Sequence, residues 1–196
     1  MITKPYDVWN TFLKDIRKRL EKNDIKNFLT WPSIRQSMHT EDKPHIPAID
    51  YFEKNAKVFK DVEEIFEFGG GHGRICRMIY DRGFKGKYTI FDFPELIELQ
   101  KFYLKSYTNV KYISDSDLLK DPCENSLFIS MSAIEESPKD IQNIMFNFAK
   151  NFNSFLFKFS GGKGEFEDFM NSKKDCKWKY DDFVKNITYI MAGVKK

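Results

Sequence analysis

The sequence predicts an α/β fold: a mainly parallel sheet with helices on both faces, preceded by a cap of helices. Three observations carry that expectation. From Glu64 onward, short apolar runs alternate with helical stretches of 10 to 15 residues, the mark of repeated strand–helix units. Four glycines fall within the five residues Gly69 to Gly73, between the first strand and the first helix of that series. The first 60 residues show helical spacing and a proline-containing loop instead. A chain of 196 residues can bury one sizeable core. We therefore expect a helical cap over residues 1–60 and one α/β domain over residues 61–196.

Taken in order, Trp9, Phe12, Leu13, Ile16 and Leu20 recur at helical spacing between Pro5 and Lys22. A second helical stretch covers Asp24 to Met38, interrupted at Pro32. His39 to Asp50, with two prolines and mixed charge, reads as a loop, and Tyr51 to Lys60 as a third helix. "EEIFEF" is the first strand, and "HGRICRMIYD" a helix stopped by Gly83. "KYTIFDF" is the second strand, and Pro94 opens its helix at a favoured first position. "VKYI" and "SLFISMSA" are the third and fourth strands, too close for a full crossover helix between them. Ser137 is expected to cap a helix starting at Pro138. "SFLFKFS" and "ITYIMAGV" complete the strands read from the residues.

Composition narrows the class. With 41% hydrophobic and 31% charged residues the chain reads as soluble, and its 20 phenylalanines belong in core and pocket walls. The net charge of +3 comes from 32 basic and 29 acidic side chains, interspersed rather than clustered. That pattern predicts no nucleic-acid partner. Cys76, Cys123 and Cys176 are isolated, as in a reduced cytoplasmic protein. No signal-peptide core and no bilayer-length apolar run is present, so no membrane partner is expected. His39, His45 and His72 stand in unrelated contexts, and no metal site is predicted.

In open parallel sheets, ligands bind where the carboxyl ends of the strands meet the turns. The turn here is Glu67-Phe68-Gly69-Gly70-Gly71-His72-Gly73. A dinucleotide fingerprint would need glycine at Arg74 or Cys76, and a phosphate loop would need Gly-Lys followed by Ser or Thr. What fits is ExGxGxG: Glu67, Gly69, Gly71 and Gly73. That pattern resembles the cofactor turn of S-adenosylmethionine-dependent methyltransferases. Such a ligand has no phosphate, so the turn must let it approach the backbone, and a nearby carboxylate can offset its positive charges. Asp92 ends the second strand 19 residues after Gly73 and can accept both ribose hydroxyls. Asp115 is placed to reach the adenine amino group. The alternatives are helix capping by Asp92, a structural role for Glu67, a loop role for Asp115 and a space-filling role for His72.

The block from Glu67 to Ser106, "EFGGGHGRICRMIYDRGFKGKYTIFDFPELIELQKFYLKS", resembles the signature of bacterial sugar O-methyltransferases, a branch of the class I methyltransferases. "FLTWPSIRQSM" (Phe28 to Met38) and "SMSAIEESP" (Ser130 to Pro138) are similar to further blocks of that family. The resemblance implies a Rossmann-like seven-stranded sheet whose last strand is antiparallel. It implies S-adenosylmethionine as cofactor, held by Glu67, Gly69, Gly70, Gly71, Gly73, Asp92, Phe93, Asp115, Ser130 and Met131. It also implies methyl transfer to a hydroxyl of a sugar or nucleotide sugar. Glu136, which matches the family's Glu, is the preferred general base, with Glu135 beside it; the alternative is that both are surface acids before a helix. Trp31 and Arg35, with His72, are candidates to contact the acceptor, against ordinary packing in the cap. The charged stretch "GGKGEFEDFMNSKKDCKWKYDD" and Asn186, where the family has histidine, depart from the pattern. The competing functions are a cofactor-binding scaffold without catalysis and a nicotinamide oxidoreductase.

Overall fold

The computed structural model describes residues 5–22, 24–37, 40–160, 163–184 and 188–196; within them residues 5–9, 37, 163, 183 and 184 are described in backbone alone. The readings made at Met38, His39 and Asn186, and for the side chain of Trp9, fall outside that description.

Seven strands form one sheet: β1 (Glu64–Phe68), β2 (Lys87–Phe91), β3 (Val110–Ile113), β4 (Ser126–Met131), β5 (Ser154–Phe159), β6 (Cys176–Val184) and β7 (Thr188–Lys195). Their order is β3-β2-β1-β4-β5-β7-β6. The first five run parallel, and β7 lies antiparallel to both β5 and β6. The chain thus starts a doubly wound sheet at β1, in the centre, and reverses direction between β1 and β4, where a ligand crevice forms. The central strands are near-continuous apolar runs because helices cover both faces. On one face Ile65, Ile90, Leu127 and Leu156 pack with Ile75 and Ile79 of α4 (Arg74–Asp81). On the other, Phe66, Phe128, Phe155 and Phe157 pack with Met145 of α7 (Lys139–Ala149) and with Phe166 and Phe169 of α8 (Lys163–Ser172).

Before the sheet come α1 (Pro5–Glu21), a 3₁₀ turn (Ile25–Thr30), α2 (Pro32–Ser37) and α3 (Ile46–Asn55). Phe12, Ile16, Phe28, Trp31 and Ile34 form a cluster of their own, closed by Leu96 and Leu99 of α5 (Pro94–Tyr103). Helix α3 instead sends Ala48, Ile49 and Phe52 into the core of the sheet.

Three expectations require correction. The loop expected up to Asp50 ends earlier, since α3 begins at Ile46 with Pro47 in its first turn, where proline costs no hydrogen bond. Ser137 does not cap the helix that follows: its hydroxyl donates to the Ala133 carbonyl at 2.8 Å, closing the short α6 (Ala133–Glu136), and Pro138 stands at the N-cap of α7. The charged stretch after β5 holds two elements. Helix α8 buries Phe166 and Phe169 at helical spacing, and β6 is one edge of the sheet, where Lys177, Lys179, Asp181 and Asp182 face solvent. Charged residues on an exposed edge keep it from pairing with other chains. Between β3 and β4 the crossover contains one 3₁₀ turn, Ser116–Leu118, as the short spacing requires.

Candidate active site

The carboxyl ends of β1, β2, β4 and β5 and the glycine turn surround a cavity of about 520 Å³. Its walls include Gly69, Gly70, Gly71 and His72 of the turn, Phe91 to Pro94 at the end of β2, Ser114 after β3 and Met131 to Ala133 at the end of β4. His45, Arg74, Glu136 and Lys158 complete it. The turn leaves β1 with Gly69 at φ 75°, its N–H donating to the Phe91 carbonyl at 2.9 Å. A Cβ on Gly69 would lie 2.1 Å from the Cβ of Ala133, so a glycine is required both for conformation and for space. Gly71 and Gly73 also have positive φ, at 59° and 94°.

Asp92 organises the turn. Its Oδ2 accepts from the Gly71 N–H at 2.9 Å and from Gln100 Nε2 at 2.8 Å, while Oδ1 accepts from the Phe93 N–H at 2.8 Å. Gln100, on α5, also donates to the Gly71 carbonyl at 2.8 Å. A carboxylate offers about four lone-pair sites, and three are taken within the protein. A bidentate grip on two ribose hydroxyls would therefore displace an internal donor; one hydroxyl at Oδ1 would not. Burial pushes the Asp92 carboxyl up to about 7, against the pull of these three donors. Glu67, 1% exposed, accepts from the Tyr88 hydroxyl at 2.9 Å. Its carboxyl is pushed up to about 8, mainly by burial, with the Asp92 charge adding to the rise.

The β4–β5 side is built otherwise. Ser132, just past β4, has φ 67°, a left-handed conformation rare and costly for a side-chain-bearing residue, and its N–H donates to the Lys158 carbonyl at 2.7 Å. Strain of that kind collects at functional sites. From there α6 carries Glu136, exposed, to the cavity wall, while Glu135 turns back so that its Oε1 accepts from the Ser160 N–H at 2.8 Å. Burial pushes the Glu135 carboxyl up to about 7. Lys158 lines the cavity, with Nζ donating to the Pro44 carbonyl at 3.1 Å.

The cavity thus brings together Glu67, Gly69, Gly70, Gly71, His72, Asp92, Phe93, Met131 and Glu136. Gly73, Asp115, Ser130, Glu135, Trp31 and Arg35 stand outside its walls. Gly73 packs toward Leu104, Ser130 is buried within the sheet, and Asp115 accepts from the Asp117 N–H at 2.9 Å, leaving Ser114 to face the cavity from that loop. Trp31 is 2% exposed in the core of the cap, its indole N–H donating to Asp24 at 3.2 Å, and Arg35 is exposed on α2. His72 is held between Phe28 and Tyr103, and its Nε2 accepts from Arg74 Nε at 3.2 Å. Burial first, then the neighbouring Arg74 charge, pushes His72 down to about 3, so it is neutral. Arg74 in turn pairs with Asp42 and the Thr40 carbonyl, strapping the segment before α3 to the turn. Sequence reasoning missed Gln100, Ser132 and Lys158. Their signals, a Gln within a helix pattern, a Ser after a strand and a Lys within one, are indistinct without the fold.

No protein-family model matches the chain, and no curated protein matches it in sequence. Solved structures do match its fold. The magnesium protoporphyrin IX methyltransferase of Synechocystis PCC 6803, with bound S-adenosylmethionine, aligns at TM-score 0.60 and 9% identity over 79% of each chain. The plantazolicin methyltransferase BpumL, in complex with S-adenosylhomocysteine, aligns at 0.59 and 11% over 95% of this chain and 99% of its own. The 23S rRNA methyltransferase ErmE aligns at 0.55 and 13% over 78% and 68%. The expectation that no nucleic acid is a partner is overturned by that last likeness: a sheet of this fold serves an enzyme acting on rRNA, so dispersed surface charge excludes no RNA acceptor. No helix among the described residues is long and apolar enough to cross a membrane. In fold, this chain is Rossmann-like, with the mostly parallel seven-stranded sheet and antiparallel β7 of the class I S-adenosylmethionine-dependent methyltransferases.

Proposed function

We propose that this protein is an S-adenosylmethionine-dependent methyltransferase. The observation that carries the proposal is the cavity wall in which a positive-φ glycine turn is bonded to a buried aspartate at the end of β2. The residues present fit the cofactor. Two buried carboxyls, Glu67 and Asp92, both raised well above the usual carboxylate range, line one cavity, and a cationic ligand relieves the cost of ionising them. Asp92 Oδ1 keeps one acceptor site for a ribose hydroxyl, and Phe93 and Met131 provide apolar contact for a base and a thioether. When bound, the cofactor supplies a methyl carbon already activated by sulfonium. The chain's own contribution is to hold the acceptor in line with it, an orientation worth roughly 7–11 kcal/mol. Of residues 1–60, the part before α3 serves as a cap over a catalytic unit of residues 61–196, with the Arg74–Asp42 pair tying the two at the cavity, while α3 packs into the sheet core.

For the acceptor we propose a sugar hydroxyl, supported by the sequence resemblance; a ribose hydroxyl within RNA belongs to the same chemical class. Calorimetry with S-adenosylhomocysteine tests the cofactor assignment. Micromolar binding that Asp92→Ala abolishes is the expected result, and binding of NADH in its place sinks the proposal. Methyl transfer from labelled S-adenosylmethionine to nucleotide sugars and to an rRNA transcript then tests the acceptor.

A further inference from the structure

The β4–β5 side of the cavity holds a group that the sequence did not single out. Lys158 is the penultimate residue of β5, in register with Met131 of β4. Its backbone is clasped by the N–H of the strained Ser132, and its half-buried side chain reaches the cavity and the Pro44 carbonyl at 3.1 Å. An ammonium carries three N–H groups, and among the described residues this one has a single hydrogen-bond acceptor. Several of the other titratable groups nearby are committed or differently placed. His72 is neutral with Nε2 occupied, Arg74 is paired with Asp42, and Glu135 turns its Oε1 to Ser160. Glu67 and Asp92 belong to the glycine-turn side. His45, Glu136 and Asp140 line the same cavity and face the acceptor space with Lys158.

We infer that Lys158 is the proton acceptor for the group being methylated, and that this group is a hydroxyl. The inference rests on the proposed methyl transfer. A hydroxyl must shed its proton as its oxygen attacks, whereas a nitrogen with a free lone pair attacks without prior deprotonation. In the step, the acceptor O–H proton would pass to the unprotonated form of Lys158 Nζ as the oxygen bonds to the methyl carbon. The carbon–sulfur bond breaks with its electron pair going to sulfur, and the resulting ammonium returns its proton to water. Burial holds the Lys158 pKa below that of an exposed lysine, although the Glu135 charge opposes the shift. Ser132 holds the Lys158 backbone, and the Pro44 carbonyl accepts from its amine.

The experiment pairs two measurements on the whole chain. Competitive labelling with acetic anhydride across pH, read by mass spectrometry, gives the proton affinity and reactivity of Lys158 against the other lysines. Single-turnover methyl transfer to a panel of nucleotide sugars and an rRNA transcript is compared for wild type, Lys158→Met and Lys158→Arg. We expect Lys158 to be acylated at lower pH than the exposed lysines. Both variants should lose at least about 100-fold in rate while binding S-adenosylhomocysteine within twofold of wild type. An ordinary labelling profile for Lys158, or a rate within threefold in Lys158→Arg, which keeps the charge but is no base, overturns the inference. If no panel member is turned over, the labelling profile alone decides it. Failure of the wild type to bind S-adenosylhomocysteine strikes instead at the function proposed above.

Discussion

On the wall made by the glycine turn and the end of β2, polar groups answer one another inside the protein: Asp92 takes donors from Gly71, Phe93 and Gln100, and Glu67 takes the Tyr88 hydroxyl. On the wall made by β4 and β5, the chain is held by a strained Ser132, and Lys158 and Glu136 line the cavity. The first wall is internally bonded, which holds its shape before any ligand arrives. The second is held mainly through the backbone, which leaves its cavity-lining side chains less tied to the sheet.

That contrast can be broken at several points, the largest effect first. Gly69→Ala places a Cβ 2.1 Å from the Cβ of Ala133 at a positive φ, so S-adenosylhomocysteine affinity should fall more than ~100-fold with a lowered melting temperature. The double variant Gly69→Ala/Ala133→Gly, which removes the clash and keeps the strain, should regain part of both; no recovery would mean that packing is not the cause. Trp31→Ala should cost about 3–5 kcal/mol of stability, as for a large buried aromatic, with cofactor affinity little changed in the folded fraction. A selective loss of acceptor binding at full stability would return Trp31 to the acceptor site. Asp92→Asn should weaken cofactor binding by about 10- to 100-fold, since hydrogen bonds to a charged group are worth roughly 1.5–3 kcal/mol.

A smaller effect tests the electrostatics of the two walls. The folded-state pKa values of Glu67, Asp92 and Glu135, about 8, 7 and 7, lie above their ordinary values of 4.5, 3.8 and 4.5. The native state therefore holds these protons more tightly than the unfolded chain. Their contribution to stability is complete below about pH 4 and is lost as pH rises through 7 to 8. Melting temperature without ligand should fall across that window. Affinity for S-adenosylmethionine should rise over it, because a cation favours the ionised carboxylates of the first wall. An affinity independent of pH between 6 and 8 would remove Glu67 and Asp92 from cofactor recognition. The smallest change is expected of Glu136→Gln, exposed at the cavity rim, which should keep its rate within about threefold if Lys158 is the base. A loss near 100-fold, measured by single turnover, would give the role back to Glu136.

How much could be read in advance follows the same division. The turn was legible because only glycines permit its backbone and because Asp92 stands at a fixed distance along the chain, both local facts. The first five strands were legible as apolar runs. Helix α8 and strand β6 were not, since each buries a narrow face, such as Phe166 and Phe169, under a majority of charged residues. Trp31 was a candidate acceptor contact because its segment is similar to a block of the sugar O-methyltransferases, with cap packing as the alternative, and its ring fills the cap core.

By itself, the sequence determined the α/β class, the position of the glycine turn and the acid that secures it. These depend on backbone freedom and hydrophobic spacing, which act between near neighbours in the chain. Only the tertiary structure decided that Gln100 clamps the turn, that Asp115 yields its place to Ser114, that His72 is locked by Arg74, and that Lys158 shares a cavity with Asp92. Those are meetings of residues far apart in the chain, set by strand order and by which side chains burial leaves able to face one another.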